Sequence, residues 1–492
     1  MKYVVYTNNP HARVFWHFAR PDSFNKSSIP PSLHPFISIT QEKIPCVSDN
    51  QQTPSRQTTL IVTWTMAPVL RPRAGRGHNG GSAAQSRKTA HVRSITKGWP
   101  KDALGVRTRG LIKGKMACYR RATTQTLLHC PKFLNWIATH DREQKNAKPK
   151  KPTPIGAKPK ATQKKDRKTK DAETKDAEDG NCQFGDRCPA CCFKHLAAEF
   201  WNPRSTTAAL NRTVLNLDRA VFHTRFGAPW TRDMGQMECP AEFMTHILQL
   251  LEDSARPDEG AWLHQIDAMF FINIYSLDTC PDCQLVTRRN NPPEGYLSVP
   301  LDEEAPDSLD QALHRYFNES EGLEAHCPQC SGTRQHARIN KIDAGPQVLN
   351  IQLNRFWNKW DEKSGKIILG KWRHPVRYPQ TINLKAYQPD MVASADADGN
   401  ANLDSNGNEI MVKNLPLRYR LQAVTRHFGA NIGDGHYMAR VRSQNRVEEH
   451  AVSYLTEDDE TPVDGPIDAL LDTPKSGRKD GGQSYILTYV LM

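Results

Sequence analysis

The chain has 492 residues, of which 38% are hydrophobic and 8% aromatic, with 34 prolines and a mean hydropathy of −0.67. That is enough apolar material for a globular core, together with long polar stretches outside it, so a wholly disordered chain is excluded. The formal charge of +13 is unevenly spread: residues 1–180 carry 34 Lys+Arg against 12 Asp+Glu, and residues 181–492 carry 32 against 41.

The basicity therefore belongs to the N-terminal third, and the acidic remainder disfavours a nucleic-acid partner. No window approaches the roughly 20 apolar residues of a transmembrane helix, and the N-terminus MKYVVYTNNPHARVFWHFARP lacks an apolar signal core. Twelve cysteines in a chain of this length do not make a disulfide scaffold. The expected setting is intracellular, cytoplasmic or nuclear, where each thiol is a metal ligand, a nucleophile or buried filler.

In chain order, residues 1–105 read as a basic, disordered arm with one strand-like run, 59–70, that has no evident partner. A globular domain is expected over 106–491. It is interrupted at 145–180 by a Lys/Pro-rich linker that cannot pack a core and that would also serve as a nuclear import signal. Helical periodicity marks 122–128, 241–251 and 309–317, whereas 348–356, 419–426, 436–441 and 484–491 read as strands. The Asp/Asn/Gly stretch 393–410 lacks the twelfth-position Glu of a calcium loop and reads as a solvated surface loop. Strands and helices in segregated runs indicate an α+β fold.

Cys280-Pro-Asp-Cys283 and Cys327-Pro-Gln-Cys330 are the strongest metal signal. A two-residue gap lets both thiolates of one turn face a single ion, and two such turns complete the four-cysteine tetrahedron of a closed structural Zn2+ site. The 43 residues between the pairs exceed the usual ribbon spacing, so that segment must loop out and return. A third pair, Cys188-Pro-Ala-Cys191, has Cys182 and Cys192 nearby but no second pair, and reads as buried cysteines at a helix start. Cys46, Cys130 and Cys239 read as fillers.

Cys118 stands where a Gly/Lys-rich loop enters a helical segment ended by Pro131. A helix N-terminus and neighbouring cations favour thiolate, as a nucleophile requires. More than 300 residues later, LRYRLQAVTRHFGANIGDGHYMARVRS reads as two strands around a hairpin loop. His436, where the second strand leaves the loop, is a candidate general base, with His427 on the first strand as its competitor. In YLTEDDETPV downstream, Asp458 or Asp459 can supply the third group that orients the imidazole.

GL followed by CY seven residues after the Leu, then Gln125 and LLHCPKFLNW, resembles the cysteine box of the ubiquitin-specific proteases. YRLQAVTRHFGANIGDGHYMARVR resembles their histidine box, QMECPAEFMTHILQLL their Gln-rich box, PQVLNIQLNRF their core strand and SYILTYVL their last strand, while the CPxC pairs resemble their zinc-binding fingers. The resemblance runs from about Gly110 to Val490. It implies a papain-like cysteine protease fold of thumb, palm and zinc-ribbon fingers that acts on ubiquitin and ubiquitinated proteins. In that reading Cys118 is the nucleophile, His436 the base, Asp458 the acid, and Cys280, Cys283, Cys327 and Cys330 hold structural zinc.

Four positions depart from the family pattern. Lys113 occupies the place of the Asn that donates to the oxyanion, Lys115 that of the second Gly, with Gly114 one place early, Arg121 that of the Asn three residues after the cysteine, and Cys239 that of the Gln-rich box Asp. The acid can also be aligned as Asp459 or Glu457. The expected activity is thiol-dependent deubiquitination; the alternative is a weakened or inactive member that binds ubiquitin.

Overall fold

A computed structural model of the chain describes residues 84–112, 114, 116–140, 182, 187–222, 230, 238–255, 260–303, 307–396, 400–431, 434–442 and 482–492, together with five further strands. The linker 145–180 and the candidate residues Lys113, Asp458 and Asp459 lie outside the described residues. The chain divides into two units, 1–79 and 80–492.

In the first unit, Leu60–Thr65 lies between Tyr3–Val5 and Phe36–Thr40 as the centre of a three-stranded antiparallel sheet. The run at 59–70 thus has partners, drawn from two β-branched and aromatic segments too short to signal strands by alternation. Residues 84–105, expected as part of the arm, belong to the second unit, which they enter as helix α1 (Ala84–His91).

The second unit contains seven more helices among the described residues: α2 (Cys118–Leu128), α3 (Pro131–Ile137), α4 (Pro189–Phe200), α5 (Thr207–Phe222), α6 (Pro240–Asp253), α7 (Gly260–Phe270) and α8 (Leu309–Asn318). Three of them, α3, α4 and α6, begin with the same dipeptide: a cysteine at the N-cap and a proline at the first helical position. Proline suits that place because its fixed φ is already helical and the N–H it lacks would have no intrahelical partner. At α8 the start is secured differently, since Ser308 Oγ accepts from the Gln311 amide and donates to the Gln311 side chain.

The helices α2 to α7 share one apolar cluster with the inward residues of a large sheet. Its strands run in the order Pro462–Pro466, Ala451–Leu455, Asp434–Arg442, Arg418–Asn431, Gln483–Leu491, Val348–Asn354, Leu297–Pro300, with Thr381–Asn383 added beside Arg418–Asn431. Every pair is antiparallel except Val348–Asn354 with Leu297–Pro300. A second cluster covers the opposite face with α8, so Leu349, Ile351 and Leu353 point into one core while Val348 points into the other. A separate four-stranded sheet, ordered Val286–Asn290, Asn273–Thr279, Gly332–Ala344, Ser320–Cys327, forms the fingers expected from the sequence.

Candidate active site and metal centre

Helix α2 is buried from Tyr119 to Leu128, and its first residue, Cys118, is half-buried. So polar a helix, with Thr123, Thr124, Gln125 and Thr126 inside the protein, is stable only if those groups are bonded. Gln125 Nε2 donates to the Arg109 carbonyl at 2.9 Å, Thr126 Oγ1 to the Ala122 carbonyl at 3.0 Å and Thr123 Oγ1 to the Pro240 carbonyl at 3.3 Å. The Ala117 N-cap has no side-chain acceptor and the first turn carries no acid, so the positive end of the helix dipole is left for the Cys118 sulfur.

The turn before Cys118 is tight. Ala117 N donates to Gly114 O at 3.1 Å, and Met116 is held at φ 52°, a left-handed conformation unusual for a side-chain-bearing residue. Arg121, one turn into the helix, ties this loop down: its Nε donates to the Ile112 carbonyl at 2.9 Å. Its Nη1 and Nη2 make a bidentate pair with Asp218 of α5 at 3.0 and 2.7 Å. Arg120 Nη1 reaches the same carboxylate at 3.2 Å and lies over the Phe222 ring. The two arginines beside the cysteine are thus structural clamps, with three of the five Arg121 N–H donors committed to Ile112 and Asp218.

The strand Asp434–Arg442 packs directly against α2. Tyr437, Ala439 and Val441 enter the core shared with that helix, whereas His436 is half-buried at the start of the strand. Gly435 makes this placement possible. At its φ of +145°, a Cβ would run into the Phe428 carbonyl and come within 2.7 Å of His427 Nε2.

His427 does not fit the role of base. It is fully buried in the middle of the sheet, opposite Tyr437. Its Nδ1 lies 2.7 Å from Lys371 Nζ, which also donates to the carbonyls of His427 and Gly429 at 3.1 and 3.2 Å. Burial, reinforced by Lys371 and His436, lowers its pKa to about 3, while burial lowers that of Lys371 to about 7. The imidazole is therefore neutral, with Nδ1 already taken as an acceptor.

In the fingers, the four predicted cysteines converge, their sulfurs all within 4.8 Å of one another. Cys280 and Cys330 sulfurs are 3.9 Å apart and those of Cys283 and Cys327 3.6 Å, close to the roughly 3.8 Å edge of a tetrahedron with 2.3 Å metal–sulfur bonds. The two turns are built alike. Gln284 N bonds Cys280 O and Ser331 N bonds Cys327 O, and Gln284 and Ser331 both take positive φ, 61° and 54°. The Cys330 and Gln329 amides help hold the Cys327 thiol down to about 7, whereas neighbouring Cys283 pushes that of Cys330 up to about 12. Four sulfurs this close cannot all be anionic without a cation between them, so the donor set fits a thiophilic metal.

Elsewhere, Cys239 fits the filler reading: its thiol is 3.1 Å from the Tyr485 hydroxyl, and burial pushes it up to about 11. The pair Cys188 and Cys191 does not stand alone at a helix start. His140 and Cys182 join it in a second four-residue group of potential ligands. His140 was invisible to spacing arguments because the linker separates it from the cysteines.

A family model described as ubiquitin carboxyl-terminal hydrolase matches residues 109–489, and the chain belongs to that family. It is 28% identical over 216 residues to "Probable ubiquitin carboxyl-terminal hydrolase creB" of Aspergillus flavus, covering 43% of this chain and 24% of the relative. It is 25% identical over 233 residues to ubiquitin carboxyl-terminal hydrolase 4 of Arabidopsis thaliana, covering 46% and 53%. The chain thus aligns with about a quarter to a half of the length of these curated relatives. Its fold is that of the Ubp8 chain in the SAGA Ubp8/Sgf11/Sus1/Sgf73 DUB module bound to ubiquitin aldehyde, with TM-score 0.55 and 18% identity over 80% of this chain and 70% of that one. The same module bound to monoubiquitin gives TM-score 0.55 at 17% identity, with the same coverage. Among the described residues, no helix is long and apolar enough to cross a membrane.

Proposed function

We propose that the chain is a thiol-dependent deubiquitinase, hydrolysing the bond after the C-terminal glycine of ubiquitin on ubiquitinated proteins. The observation that carries this reading is the packing of a helix that begins with Cys118 against the strand that begins beside His436, with the competing histidine locked away. The Cys118 thiolate attacks the glycine carbonyl, and His436 returns the proton to the departing lysine amine. A water molecule deprotonated by His436 then opens the thioester and frees ubiquitin.

Asp458 is the acid that orients His436. YLTEDDETPV begins at the end of strand Ala451–Leu455, which pairs antiparallel with the strand that carries His436, and Asp459 is the alternative acid. Cys280, Cys283, Cys327 and Cys330 hold a structural zinc that fixes the fingers around ubiquitin. The acidic balance of residues 181–492 suits the cationic tail of ubiquitin, and the reducing cytoplasm or nucleus suits the free thiols.

A weakened ubiquitin-binding member is the second reading, favoured by the engagement of Arg121 with Asp218 and Ile112. With Asn replaced by Lys113, the oxyanion donors reduce to backbone N–H groups and an ammonium on a flexible stem. Loss of one such donor costs about 2.7–4 kcal/mol. Incubation with ubiquitin bearing a C-terminal thiol-reactive warhead separates the two. Active enzyme forms an adduct at Cys118 that disappears in His436→Ala; complex formation without an adduct establishes the binding-only member.

A further inference from the structure

We infer that His140, Cys182, Cys188 and Cys191 form a second zinc site, separate from the fingers. His140 follows α3, and Cys188 and Cys191 open α4. Cys188 Sγ lies 3.4 Å and Cys182 Sγ 3.7 Å from the same atom, His140 Nε2, and the ligand atoms of all four residues lie within 4.8 Å of one another.

Hydrogen bonding among thiols and an imidazole does not account for this arrangement. A ring nitrogen offers one in-plane position, either a lone pair or a proton, so it has one good hydrogen-bond partner. Two sulfurs share this nitrogen, and the third sulfur closes the figure into a cage rather than a chain. A tetrahedral ion with metal–sulfur bonds of about 2.3 Å and a metal–nitrogen bond of about 2.0–2.1 Å sets each sulfur roughly 3.5–3.6 Å from the nitrogen. The two observed distances bracket that value.

The surroundings are those of a built site. His140 and Cys188 are almost fully buried, and Cys182 and Cys191 are half-buried. The imidazole packs at 5.1 Å on Trp262, which itself stacks on Trp136. The His140 main chain is fixed by its amide bond to Ile137 O and by Lys194 Nζ, which donates to its carbonyl at 3.2 Å. The Cys188-Pro-Ala-Cys191 turn presents two sulfurs on one side, as the finger turns do. Three thiolates and a neutral imidazole select zinc among the common divalent ions, and with all four positions supplied by protein its role is structural. The ion joins the end of α3 to the start of α4 across 48 positions of sequence, bracing α3, which packs beside α2, against α4.

The test is metal content of the full-length protein from zinc-supplied expression, measured by plasma mass spectrometry against chain concentration. Wild type is expected to hold two zinc ions per chain, Cys327→Ser to keep one, and Cys188→Ser to keep one. X-ray absorption of the zinc left in Cys327→Ser should show three sulfurs and one nitrogen. One ion in wild type, lost altogether in Cys327→Ser, overturns the inference. One ion in wild type that survives Cys327→Ser supports this site and refutes zinc in the fingers instead. Should Cys188→Ser not fold, the wild-type count and the Cys327→Ser arm still decide.

Discussion

Asp218 is the carboxylate on which both arginines beside Cys118 depend, and Asp218→Ala tests whether those arginines are clamps. The side chains of Arg121 and Arg120 are 3% and 7% exposed and that of Asp218 is 18% exposed. Removing one partner of a buried ion pair costs about 3–5 kcal/mol, because the remaining charge is stranded. Asp218 is partly wetted and Arg121 keeps its bond to Ile112 O, so the expected loss is about 2–4 kcal/mol. Asp218→Asn, which preserves one acceptor oxygen, should lose roughly half of that. Adding Arg121→Leu to Asp218→Ala should recover part of the loss, since one of the two orphaned charges is then absent while that of Arg120 remains. Urea unfolding followed by tryptophan fluorescence measures these three variants and Arg121→Leu alone. Turnover of a fluorogenic ubiquitin amide should fall with the stability of the loop that Arg121 anchors. A loss below about 1 kcal/mol, or strict additivity of the two substitutions, refutes the clamp.

Other positions give independent tests. Gly435→Ala must displace the Phe428 carbonyl and the His427 ring or shift the start of the strand that carries His436, and should cost about 1–3 kcal/mol of strain and most of the turnover while ubiquitin binding persists. Met116→Gly relieves the left-handed φ of 52° and should raise stability by about 1 kcal/mol in thermal melts, provided the turn is retained. Burial lowers the pKa of His129 and of His246 to about 4 and that of His427 to about 3, so the unfolded chain takes up protons below about pH 6.5 that the native protein refuses. Stability should therefore fall as pH drops from 6.5 towards 4. Glu294, whose carboxyl burial raises to about 7, opposes this with a single proton. Urea midpoints measured at pH 7 and pH 5 should differ in that sense, and His129→Gln should reduce the difference.

The strands of the large sheet were legible as short β-branched and aromatic runs, although burial on both faces leaves the central ones little alternation. The register from Arg418 to Asn431 carries buried residues on both cores, yet its turn chemistry still marks the hairpin. Helix α6 was legible for the opposite reason: it buries one broad face, so its apolar residues recur at helical spacing. By contrast α2 is buried on every side; helical periodicity marked only 122–128, and the start of the helix was recognised through Cys118 and the flanking sequence. Arg355 shows the limit of local reading. It is fully buried, with carbonyls of Trp372, His374 and Ser484 as acceptors, and none of these partners lies near it in sequence. Asp218, Lys371 and His140 were missed in the same way, since each acts on residues between 48 and 97 positions distant.

The meeting of His140 with Cys182 has a consequence for how this chain tolerates change. The two residues that flank the insert, His140 and Cys182, meet with their side chains 3.7 Å apart. The entropy of closing a loop between fixed ends grows only with the logarithm of its length, by about 0.6 kcal/mol per doubling. The domain is therefore nearly indifferent to what is spliced between these two residues. Lengthening the tract, exchanging it, or grafting a whole folded module with neighbouring termini should leave α3, α4 and the helix they support in register, which makes this junction a natural port for acquiring new partners.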